Sequence, residues 1–122
     1  LNSERFNVGA MHSTSVNTSR LTVPSNQAGL YWVYGWTNFA ANATGRRRLI
    51  IKKNGSVTIN DETLGTVSAA NVSGMQIGAL LVLAAGDFVE LYVQQTSGGN
   101  LNVGDTGTTD GDETELTAVR IW

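Results

Sequence analysis

His12 is the only histidine in the chain and stands in Met11-His12-Ser13, with Ser15 close behind, so the residue types of a hydrolytic base and nucleophile lie side by side. Turning them into a catalytic unit requires a carboxylate that orients the imidazole, and no acidic residue stands at a spacing that specifies one. A structural or surface histidine is the plainer reading. With no cysteine, thiolate nucleophiles, thiolate metal sites and disulfide frameworks are excluded. A single histidine also excludes a multi-histidine metal centre of the cupin type. The chain is therefore expected to be no enzyme and to need no cofactor.

Two charge clusters remain. Asp105, Asp110, Asp112, Glu113 and Glu115 make up half of the ten acidic residues. An oxygen-rich loop of this kind can take calcium, with Asp105, Asp110 and Asp112 as the candidate ligands, although Asp110-Gly111-Asp112 does not follow the EF-hand offsets. A solvated acidic loop is the plainer alternative. Arg46, Arg47, Arg48, Lys52 and Lys53 hold five of the eight basic residues. Arg46, Arg47, Lys52 and Lys53 are the candidates for a surface that meets an anionic partner: a neighbouring subunit, a capsid protein or a cell-wall polymer. The competing reading is a solvated edge strand whose charges discourage sheet-to-sheet pairing. A formal net charge of -2 argues against non-specific nucleic-acid binding. Four Asn-x-Ser/Thr acceptor patterns, at Asn17, Asn42, Asn54 and Asn71, are expected by chance in a chain this rich in Asn, Ser and Thr.

The elements that must position these groups read as strands. Fourteen glycines against one proline, with abundant Thr, Val, Ser and Asn, is the composition of short strands joined by tight turns. Arg20 to Val23 alternates and stops at Pro24. Leu30 to Thr37 carries Tyr31, Trp32, Val33, Tyr34 and Trp36. Arg46 to Lys53 runs into Asn54-Gly55, the strongest short hairpin signal, and Ser56 to Asn60 returns. In Asn71 to Ala85, Met75, Ile77, Ala79, Leu81 and Leu83 keep period two. Gly86-Asp87 turns into Phe88 to Gln95, Ser97-Gly98-Gly99-Asn100 turns again, Leu101 and Val103 mark a short strand, and Leu116 to Trp122 reads as strand to its last residue, which should tie that end into a sheet. Eight to ten strands with no helix predict an all-β, two-sheet antiparallel sandwich or jelly roll, a single domain over residues 1–122. No stretch approaches the roughly twenty apolar residues of a membrane-spanning helix, so no membrane insertion is expected.

Several of these strands are apolar on both faces, and one core can cover only one of them. Trp32, Tyr34, Trp36, Phe88 and Tyr92 are the candidates for a second buried surface between subunits, with Tyr31 and Val33 as the set of opposite parity, and loop cover within one monomer as the alternative.

The order of the pieces resembles the globular head of the complement C-one-q family, which belongs with the tumour necrosis factor-like jelly rolls. Arg5-Phe6, Gly29-Leu30-Tyr31-Trp32-Val33, Arg48 to Gly55 and Ala85-Gly86-Asp87-Phe88-Val89-Glu90-Leu91-Tyr92-Val93-Gln94-Gln95 carry the resemblance, which covers nearly the whole chain. It departs from the animal members at Leu116 to Trp122 and in lacking a Gly-X-Y stem. The wording of Asn38 to Ile51 is similar to the C-one-q-like domains of tailed-phage virion proteins. The resemblance implies a homotrimer, calcium near the trimer top in some members, and a non-enzymatic role in a virion, as a capsid (head) decoration protein or as a tail-fibre, receptor-binding head. The alternative it leaves open is a secreted recognition domain for carbohydrate or protein ligands.

Overall fold

The computed structural model describes residues 4–5, 7–65, 71–104 and 114–122. Among them are seven strands and no helix: β1 (Arg20–Thr22), β2 (Gly29–Phe39), β3 (Arg47–Lys53), β4 (Val57–Leu64), β5 (Ser73–Leu83), β6 (Phe88–Gln95) and β7 (Glu115–Arg120). The alternating stretches thus become strands, while Leu101 and Val103 reduce to a single bridge between Val103 and Phe39. Two antiparallel sheets form, in the orders β1-β6-β3-β4 and β5-β2-β7. β2 to β3, β4 to β5, β5 to β6 and β6 to β7 each change sheet, so the chain wraps around a two-layer sandwich.

Period-two alternation sorts the side chains. In β2, Tyr31, Val33 and Phe39 turn inward and are fully buried, as are Leu49 and Ile51 of β3, Leu83 of β5 and Val89 of β6. Tyr31 carries its hydroxyl into this core and donates it to the Gln27 carbonyl at 2.6 Å, which removes the penalty of burying it. The parity of β2 is therefore decided: Tyr31 and Val33 belong to the core, and Trp32, Tyr34 and Trp36 point away from it.

The lower end of the sandwich, where β2 and β6 begin, is tied by short turns. Asn54 and Gly55 take the positive φ values, 52° and 75°, that their hairpin turn requires. Asp87 gathers this end together. Its carboxylate accepts from Asn54 Nδ2 at 2.8 Å, from the Ala84 amide at 2.8 Å and from Lys53 Nζ at 2.7 Å, while its own carbonyl accepts from the Val23 amide. The flank of the sandwich between β4 and β5 is closed by side chains: Asn60 Nδ2 donates to the Gly78 carbonyl and Lys53 Nζ to that of Val82.

Leu49 and Leu64 lie on neighbouring strands, one wholly buried and one 37% exposed. Leu49→Ala is expected to cost about 3 kcal/mol in urea unfolding and Leu64→Ala less than about 1 kcal/mol.

Candidate functional site

Half of the outward face of the β5-β2-β7 sheet is apolar, and this is the feature that a single sandwich leaves without cover. Cross-strand register aligns Leu30 with Val82 and places Trp32 between Leu80 and Val119, while the Ile121 amide donates to the Leu30 carbonyl just beyond β7. Val82 is 71% exposed, Leu80 58% and Trp32 41%. Gly78 is part of the design: a Cβ there would meet the outer ring atoms of Trp32, so the indole lies flat across β5. Ile121 and Trp122, just beyond β7, are also exposed. A contiguous exposed apolar patch of this kind marks a contact site on a folded protein.

The upper half of the same face is polar. Tyr34 donates its hydroxyl to Gln76 Oε1 at 3.0 Å, Thr117 donates to Glu115, and Glu115 pairs with Arg5 at 3.5 Å. Register sets Trp36 between Gln76 and Glu115 in this half. The face therefore grades from apolar at the lower end to hydrogen-bonding at the upper end.

The five aromatics expected to share one interface do not lie on one surface. Trp32, Tyr34 and Trp36 occupy the outer face of the three-stranded sheet. Phe88 and Tyr92 point outward from the four-stranded sheet, on the other side of the sandwich. There each ring is already covered by a cation: the Arg20 guanidinium stands 4.2 Å over Phe88 and the Lys52 ammonium 4.2 Å over Tyr92. Tyr92 also donates to Glu90, whose carboxylate pushes the phenol above its ordinary range. Arg48 and Asp61 complete this face with an ion pair at 2.7 Å. A patterned, charged and self-paired surface of this kind is satisfied in water.

The basic cluster is likewise divided. Arg47, expected at the surface, is fully buried. Its position explains this, because it shares the inward parity of Leu49 and Ile51. The guanidinium has no carboxylate partner among the described residues and donates to the carbonyls of Asn42 at 2.7 Å, Thr44 at 2.9 Å and Arg46 at 3.2 Å, fastening the loop between β2 and β3. Its Nε is buried with no partner among the described residues. Lys53 is committed to Asp87 and Lys52 to Tyr92. Arg46 remains exposed.

His12 also has a structural occupation. Its Nδ1 lies 3.0 Å from Glu4 Oε1 and its Nε2 3.1 Å from the Thr18 carbonyl, while the Ser13 hydroxyl accepts from the Ser15 and Val16 amides. Histidine and serine are not brought together as a catalytic pair. Asp105, Asp110, Asp112 and Glu113 lie outside the described residues, and among the described residues no group of three metal-ligating side chains assembles.

The sequence reading passed over Leu30, Leu80, Val82 and Val119. The signal was present, since placing Met75, Ile77, Leu81 and Leu83 on one face of β5 leaves Leu80 and Val82 on the other. A scan against protein-family models gives no match, and a search of curated proteins finds no similar one.

Two outcomes test these placements. Arg47→Met strips the Asn42 and Thr44 carbonyls of this donor, while the Arg46 carbonyl keeps the Thr96 amide, and is expected to cost about 2–4 kcal/mol, with Arg47→Lys recovering only part because one ammonium cannot reproduce the fork. The contacts from Asn54, Lys53 and Ala84 lower the Asp87 pKa from 3.8 to about 2. A carboxylate lowered in the folded state stabilises the fold above the unfolded pKa. That stability, on the order of 2 kcal/mol, should drain away as pH falls from about 3.8 to about 2, and denaturation curves of Asp87→Ala should lack this step.

Proposed function

We propose that the chain is a homotrimeric jelly-roll module of a phage virion, a capsid decoration protein or the head of a tail fibre, which cements or attaches and carries out no chemistry. The observation that carries the reading is the apolar half-face of Leu30, Trp32, Leu80, Val82 and Val119, next to which Ile121 and Trp122 are also exposed. Burying it against further copies of the chain removes this surface from water, at roughly 25 cal/mol per Å².

The choice of copies over a foreign partner is supported by the contrast between the two outer faces. The four-stranded sheet is finished with cation–aromatic pairs and ion pairs, while the three-stranded sheet is left apolar at its lower end, so one surface suits solvent and the other suits assembly. The strand orders β1-β6-β3-β4 and β5-β2-β7 make a two-sheet antiparallel sandwich; the jelly-roll form of it is carried by the resemblance in the sequence. The virion assignment rests on the wording of Asn38 to Ile51. In such a trimer the upper loops and Arg46 repeat three times around one axis. Weak contacts to a capsid lattice or a host-surface glycan then add through effective concentration.

Light scattering over a dilution series is expected to give three protomer masses with no loss on dilution, unchanged by a calcium chelator. The double variant Leu80→Asp/Val119→Asp should run as a folded monomer, and Tyr92→Ser, on the opposite sheet, should stay trimeric. A wild-type monomer at every concentration overturns the reading.

A further inference from the structure

We infer that Asn54 is a site of spontaneous succinimide chemistry which the Asp87 clamp holds shut, and that its conversion to aspartate or isoaspartate undoes the lower end of the sandwich. Asn54-Gly55 is the only Asn-Gly pair in the chain. A following glycine leaves the backbone nitrogen open to approach, because no Cβ stands beside it. At this turn a Cβ on Gly55 would meet nothing closer than 3.8 Å, and among the described residues nothing accepts a hydrogen bond from the Gly55 amide.

The reaction needs only water. The Gly55 nitrogen loses its proton to solvent and attacks Cγ of Asn54; the new N–Cγ bond forms as the Cγ–Nδ2 bond breaks, and Nδ2 leaves as ammonia. Water then opens the imide ring at one of its two carbonyls, giving aspartate with the normal backbone or isoaspartate with the chain rerouted through Cβ.

What holds the ring open is the engagement of both ends of the carboxamide. Nδ2 donates to Asp87 Oδ1 at 2.8 Å and Oδ1 accepts from the Phe88 amide at 2.9 Å, so the side chain is turned toward β6. Swinging Cγ onto the Gly55 nitrogen breaks both bonds, one of them to a charged carboxylate. The product cannot restore the first of them. A carboxylate at position 54 has no proton to give Asp87 and sets a second negative charge against it, while isoaspartate also lengthens the hairpin turn by one backbone atom. Lys53, which bridges Asp87 to the Val82 carbonyl, then loses its fixed partner at the border of the apolar half-face.

The test follows residue 54 by peptide mapping that separates asparagine, aspartate and isoaspartate during incubation at mildly alkaline pH, using the whole chain and a free peptide of residues 52–57. The folded chain should convert at least roughly tenfold more slowly than the peptide, and Asp87→Ala, shown folded by circular dichroism, should convert several-fold faster than wild type. Conversion of the wild type at the peptide's rate, or an unchanged rate in folded Asp87→Ala, overturns the inference. Where Asp87→Ala does not fold, the product mimic Asn54→Asp decides: a lowered thermal midpoint with faster exchange of the Phe88 amide supports the clamp, and an unchanged midpoint overturns it.

Discussion

β2 is large and apolar on both of its faces, and a sandwich of two sheets has one interior. Everything else in the molecule is arranged around that constraint. The inner set, Tyr31, Val33 and Phe39, meets Leu49, Ile51 and Val89 across the layers and makes the core. The outer set, Trp32, Tyr34 and Trp36, lies at the centre of its sheet, flanked by β5 on one side and β7 on the other. β5 accommodates it with Gly78 beneath the Trp32 ring, and both neighbours add apolar side chains at the lower end, so the strand's second face grows into a patch. A chain that only had to fold could have placed Thr or Lys at Leu80, Val82 and Val119.

The two ends of the sandwich are held by opposite charges used in opposite ways. At the lower end the carboxylate of Asp87 collects donors from the β3–β4 turn and the β5–β6 turn. At the upper end the guanidinium of Arg47 collects carbonyls from the β2–β3 loop. Asp87 is paired with Lys53 and stays accessible enough to respond to pH. Arg47 is fully buried, and among the described residues its charge is met by backbone carbonyls. The lower end, with its short turns, carries the apolar half-face.

Much of this was legible in the residues. Alternation identified the strands, Asn54-Gly55 identified its hairpin, and Gly86-Asp87 identified the turn before β6, because these are local properties of a few consecutive dihedrals. Absence of cysteine and the single histidine excluded whole classes of chemistry for the same local reason. Arg47 was expected at the surface because arginine ordinarily prefers water, although its parity with Leu49 and Ile51 in β3 put it on the inward face.

Long-range decisions needed the sheets themselves. A periodic strand does not say which of its two faces turns inward, so Tyr31 and Trp32 were interchangeable until the second layer was in place. Nor does it say which strands share a sheet, and Phe88 and Tyr92 were separated from Trp32, Tyr34 and Trp36 only by strand order. Asp87 gathers partners thirty-odd residues away, and Lys52, Lys53 and Arg47, nearly adjacent in the chain, go to a ring, a carboxylate and a set of carbonyls. Local backbone preference was enough to write the strands; the pairing of distant residues decided which of their faces became core and which became outer surface.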